Sequence, residues 1–269
     1  MPVIMLIDNG SLRANAAKGL RLLAKSLSEK TGLNIHPVSF KHSDKISPDE
    51  LDGIPAQTFR SFMAQQLEKG EREFIILPLF FGKSRALTSF VPDEVAILNA
   101  EFGEFKLNIS ETLYPLPEGE SGLVDIIYDH VISTAKPLKN IVLIDHGSPI
   151  PQVTAVRQHL AQCVQQKLPE GVLLEEAVME RREGKEYDFN GELLEDWLTQ
   201  KAESGETHAA VILMFFLPGS HAGEGGDIVE ICESVMVKYP DFKISISPLI
   251  SEHQRLVDIL RKRLQTVLT

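Results

Sequence analysis

The sequence predicts an α/β protein built as two tandem flavodoxin-like domains, each a parallel sheet covered by helices, with a cleft between them. Three observations predict it. Short β-branched, apolar runs alternate with longer amphipathic stretches along the chain, the pattern of βαβ units. The strand-and-turn "LIDNGS" at residues 6–11 returns as "LIDHGS" at 143–148. A length of 269 residues also suits two ordinary domains better than one.

In chain order, "VIMLI" (3–7) opens the first half as an apolar strand, and "ANAAKGLRLLAKSLSEK" follows with helical periodicity. Further strands are expected at 34–40, 73–81 and 106–112. The second half repeats the order, with strands expected at 140–144, 171–179, 209–217 and 243–247 and a helix at "DIVEICESVMVKY".

The two halves also align in register. Asp8 maps to Asp145, an offset of 137 (145 − 8), and the third strands align at 136 (212 − 76), Ile76 with Ile212. At that offset Ser84 meets Ser220 and Arg85 meets His221; near the second strands the best match is 138, pairing His42 with Glu180. An offset that hardly drifts indicates duplication of a whole domain. The boundary is expected near residues 134–139, "TAKPLK", giving domains 1–136 and 137–269.

Composition narrows the function. Net charge is −11, with few aromatics and no basic stripe, which argues against a nucleic-acid partner. Cys163 and Cys232 fall in helical segments, so no disulfide framework is expected and a reducing compartment fits. The N-terminus lacks a basic n-region. The longest apolar run, 209–217, is far shorter than the roughly 20 residues of a membrane span. A cytoplasmic protein without membrane contact is expected, with monomer and homo-oligomer both open.

Familiar motifs fail on spacing. Gly82-Lys83-Ser84 would need a glycine five residues earlier to cradle phosphate, and Leu77 stands there. The glycine-rich "GSHAGEGGDI" opens a helix but lacks dinucleotide spacing. Neither Ser148 nor Ser220 lies in a G-x-S-x-G elbow, so both read as turn or cap residues. No nucleotide is expected.

The informative pattern lies at the strand ends. His146 follows the first strand of the second half, Glu180 follows the second, and His221 lies just past the third. Ligands of open parallel sheets bind at the carboxyl ends of the strands. Two imidazoles and a carboxylate with positions left open suit an exchangeable divalent cation.

The D-H-G-S turn, the "AVMER" carboxylate and "LMFFLPGSHAGEGGDI" resemble the class II tetrapyrrole chelatases, over nearly the whole chain as two chelatase-type domains. The resemblance implies an ATP-independent lyase that inserts cobalt, iron or nickel into sirohydrochlorin or a related macrocycle, in cobalamin or siroheme biosynthesis. The divalent metal is then a substrate and the tetrapyrrole the small-molecule partner. It implies His146, Glu180 and His221 as metal-site and catalytic residues. One departure stands out: members usually place an aspartate four residues after the second histidine, whereas Asp227 lies six after His221. A non-catalytic tetrapyrrole or metal carrier is the alternative, and a metal-dependent hydrolase a weaker third.

The first half carries Asn9 and Arg85 at the histidine positions and cannot assemble the same site. It is expected to have become a wall for the macrocycle. Arg13, Lys83 and Arg85 would grip its carboxylates, and Ser148 and Ser220 are candidate ring contacts beside their turn roles.

Overall fold

The computed structural model describes residues 1–268. The chain forms two compact units, one gathering residues up to Glu118 together with the stretch from Gln254, the other spanning Gly119–His253.

The first unit runs β1 (Val3–Asp8), α1 (Ala14–Thr31), β2 (Ile35–Ser39), α2 (Phe59–Glu68), β3 (Glu73–Pro78), α3 (Val91–Phe102) and β4 (Lys106–Ile109). Its sheet order is β2-β1-β3-β4, and every pairing is parallel. β1 is central, with Ile4 to Ile7 buried, so both its faces must be apolar and strict alternation disappears. Helix α1 buries Ala16, Leu20, Leu23, Ala24 and Leu27, one stripe at helical spacing. It ends at Gly32, whose φ of 70° lets its N–H reach the Ser28 carbonyl.

The second unit runs α4 (Ser121–Thr134), β5 (Ile141–Asp145), α5 (Pro151–Gln165), β6 (Leu174–Val178), β7 (Glu192–Leu193), α6 (Leu194–Glu203), β8 (His208–Leu213), α7 (Asp227–Lys238) and β9 (Lys243–Ile246). Its order is β7-β6-β5-β8-β9, again parallel throughout. The final helix, α8 (Arg255–Leu268), packs on α1 and β3 of the first unit.

All eight expected strands form, and β7 is a short addition at one edge. The third strands stop earlier than expected. β3 ends at Pro78, and β8 ends at Leu213, although the apolar run continues into the loops.

The expected domain boundary near residue 136 differs from the packing. α4 precedes that boundary, yet it buries Leu123, Ile126, Ile127 and Val131 and packs against α5 and β8. α8 buries Leu256, Ile259, Leu260 and Leu264 on the first unit instead. Each sheet needs its faces covered, and the covering helix need not be the one next in sequence.

Registers also correct the alignment of the halves. Asp8 pairs with Ser39 and Asp145 with Val178. The second strands are therefore offset by 139 (178 − 39), and the counterpart of Glu180 is Lys41, not His42. Likewise Met5 faces Ile76 and Val142 faces Val211, so Ile76 corresponds to Val211, an offset of 135 (211 − 76). The loop after β8 is one residue longer, which restores the match of Arg85 with His221.

Candidate metal centre

His146 is the first residue beyond β5 and Glu180 the second beyond β6. Two backbone hydrogen bonds carry the pairing past the strands: Met179 N–H donates to the Asp145 carbonyl (2.9 Å), and Glu180 N–H donates to that of His146 (3.1 Å). Gly147 makes this approach possible. Its φ is +91°, and a Cβ there would lie 1.9 Å from the Glu180 carbonyl oxygen, so only glycine fits.

His146 stands next to both Glu180 and His221. His146 Nε2 lies 3.3 Å from Glu180 Oε1. The rings of His146 and His221 meet edge to face at 4.4 Å between centroids. His146 Nδ1 is 3.0 Å from the Gly147 carbonyl and His221 Nδ1 is 2.6 Å from Asp227 Oδ2. A carbonyl and a carboxylate only accept, so each Nδ1 carries a proton; in a neutral ring Nε2 then keeps the lone pair, which for His146 faces Glu180 Oε1.

The site is open rather than caged. The side chains of His146, Glu180 and His221 are 43%, 63% and 39% exposed. Among the described residues no three His, Cys, Asp or Glu side chains stand as a preformed metal cluster. The contacts show why: Glu180 leans on the imidazole edge that a cation would share. Residues of ligand type lie side by side here without a coordination geometry.

Asp227 answers for the longer loop after His221. Its N–H donates to the Ser220 carbonyl (3.1 Å), and Ile228 N–H donates to that of His221 (3.1 Å). Gly226 lies against the His221 backbone, where a Cβ would come within 3.0 Å. The glycines fold the two extra residues back and return the carboxylate to the imidazole.

The serines serve the turns. Ser148 Oγ accepts from Ile150 N–H (3.1 Å), and Ser220 contributes its carbonyl to Asp227. The residues invisible to sequence reasoning are Arg157 and Asn190, both 1% exposed. Arg157 does leave a signal, a cation on the apolar stripe of α5 between Val156 and Leu160.

In the first unit the corresponding positions carry Asn9, Lys41 and Arg85. Lys41 Nζ lies 4.4 Å from the Phe90 ring centroid, on the segment that follows Arg85. Arg13, Lys83 and Arg85 are exposed. Among the described residues their side chains make no hydrogen bond or ion pair. A cavity of about 210 Å³ in this unit, lined by Leu20, Pro37, Ser39 and Gln57 among others, holds none of the candidate ligands.

Residues 140–267 match the family model CbiX. Among solved structures, SirB from Bacillus subtilis with Fe3+ aligns at a TM-score of 0.69 and 13% identity, over 98% of this chain and 95% of that one. The sirohydrochlorin chelatase SirB from Bacillus subtilis subspecies spizizenii in complex with cobalt aligns at 0.67 and 13%, over 98% and 94%. CbiX, described as the terminal enzyme for biosynthesis of siroheme in denitrifying bacteria, aligns at 0.60 and 13%, over 99% and 100%. No curated protein matches the sequence. No helix of the described residues is long and apolar enough to cross a membrane. Residues 140–267 resemble the CbiX family, and the whole chain shares the fold of the solved SirB and CbiX structures.

Proposed function

We propose that this protein inserts a divalent metal, cobalt or iron, into sirohydrochlorin or a closely related tetrapyrrole without a nucleotide. The observation that carries the reading is the convergence of His146, Glu180 and His221 at the carboxyl edge of the half that matches the CbiX model. Insertion takes the two pyrrole N–H protons off the ring as the cation enters, so metal and ring exchange two positive charges. His146 and His221 present Nε2 lone pairs that hold the cation and release it. Glu180 stands beside His146 as a further ligand or as acceptor of a pyrrole proton. Partial exposure suits a site that must surrender its metal to another ligand.

Tetrapyrroles of this class carry many carboxylates, and the protein is acidic. Arg13, Lys83 and Arg85, joined by Lys41, form a cationic edge on the first unit suited to those groups. Ser148 and Ser220 lie beside the ligand turns and would touch the ring through their surroundings more than their hydroxyls.

A longer loop after His221 would favour a carrier over an enzyme if it took the carboxylate away from the imidazole. Asp227 bonds that histidine all the same, and the loop no longer favours it. The test is to mix purified protein with sirohydrochlorin and cobalt(II) and follow absorbance. Accelerated insertion, lost in His146→Ala and His221→Ala variants that remain folded, supports the proposal. Binding of the ring without acceleration refutes it.

A further inference from the structure

Behind the His146 turn lies a buried polar network that the first unit lacks. Arg157 donates from Nη1 to Asp145 Oδ1 (2.7 Å), from Nε to Glu176 Oε2 (3.0 Å) and from Nη2 to the Asn190 carbonyl (2.7 Å). The same Asp145 oxygen accepts the Gly147 N–H at 3.0 Å. Asn190 grips the next residue at both backbone groups: its Oδ1 accepts from Ser148 N–H (3.0 Å), and its Nδ2 donates to the Ser148 carbonyl (2.8 Å). Thr154 donates to that Oδ1 as well, at 3.0 Å. One guanidinium therefore ties strand β5, strand β6 and the segment before β7 to the turn that presents His146.

The first unit supplies an internal comparison. Residues 6–11 write the same strand and turn, with Asp8 at the place of Asp145. Leu20 stands where α5 carries Arg157, at the same 137 offset (157 − 20). Pro37 faces Leu6 as Glu176 faces Leu143. Without the guanidinium, Asp8 Oδ1 is sealed from solvent with no partner. Burial pushes the carboxyl up to about 6, against hydrogen bonds from Ser39 and Gly10. The half without the histidine is also without the cation behind the turn. Fold alone does not require Arg157, because the first unit folds the same motif without it.

We infer that Arg157 is a positioning residue of the metal site, holding the turn of His146 and Gly147 through Asp145 and that of Ser148 through Asn190. This rests on the metal reading above. A rigid support behind a metal ligand reduces the ordering required when the cation arrives.

Arg157→Leu alone would leave Asp145 buried without a counter-charge, so two gentler variants test the point. Arg157→Lys keeps the charge and removes the fork; Arg157→Leu with Asp145→Asn removes the guanidinium and the more buried carboxylate together, leaving Glu176, whose side chain is 29% exposed, to solvent. Calorimetry with cobalt(II) alone should show affinity at least ten-fold weaker in both, with thermal unfolding close to wild type and an altered visible spectrum of the bound cobalt. Amide exchange at Gly147 and Ser148 should quicken at least ten-fold, while Val142 and Leu143 in β5 keep their protection. Unchanged exchange at Gly147 and Ser148 in both variants overturns the inference. Wild-type protein that takes up no cobalt overturns the metal reading instead, so the two failures are read separately.

Discussion

Asp8 offers the sharpest test of how far the two halves have diverged. Its Oδ1 is sealed without a partner, and its carboxyl is raised from 3.8 to about 6, chiefly by burial. At about 1.4 kcal/mol for each pH unit, that gap is about 3 kcal/mol. The folded state holds this proton more tightly than the unfolded chain does. Its contribution is therefore fully present below the unfolded value near 3.8 and is lost as pH rises through about 6. Asp8→Asn removes this titration and leaves the rest of the protein's titrations in place. Unfolding in urea should be followed for wild type and variant from pH 3.5 to 7.5. The stability of wild type relative to Asp8→Asn should fall by about 3 kcal/mol across that range, then stay level. A difference that stays flat, or that grows with pH, would refute the reasoning and mean that the carboxylate has found a counter-charge.

Further outcomes follow from the strand-end geometry. Gly147→Ala places a Cβ 1.9 Å from the Glu180 carbonyl at a φ of +91°; the backbone strain costs about 1 to 3 kcal/mol. It should depress cobalt affinity through the displaced Glu180, and near-wild-type calorimetry would contradict this. Asn9→Ala should leave cobalt stoichiometry at one per chain and turnover largely intact, because the first unit lacks the ligands; two equivalent sites in wild type would count against the asymmetry. The pair Lys83→Ala and Arg85→Ala should weaken tetrapyrrole binding and spare metal affinity, and added salt should mimic the loss. Unchanged ring affinity at low salt would make the first unit only a structural partner.

Much of this protein is written locally. The runs at 3–7 and 140–144 are too apolar for anything but buried strands, and the doubled D-x-G-S turn declares a duplicated unit. Gly10 and Gly147 explain why the turn is constant: with φ of +90° and +91°, each sits against a carbonyl of the neighbouring strand end. Parallel strands then bring His146, Glu180 and His221 to one edge whatever the loop details. Alignment by residue identity failed where the loops changed length. Only the β1–β2 register shows that Lys41, not His42, replaced Glu180.

What the chain order could not decide was long-range pairing. α4 covers the second sheet and α8 returns to the first, because an apolar helix face buries against whichever sheet face is bare, and sequence distance enters that choice weakly. Arg157 belongs to the same class. Its position on α5 is visible in the sequence, but its three acceptors come from β5, β6 and the segment ending at Asn190. Local periodicity sets which residues face inward; which buried charge finds a partner is set only when distant segments pack around it. That is why Asp145 and Asp8, alike in sequence, stand in opposite electrostatic surroundings.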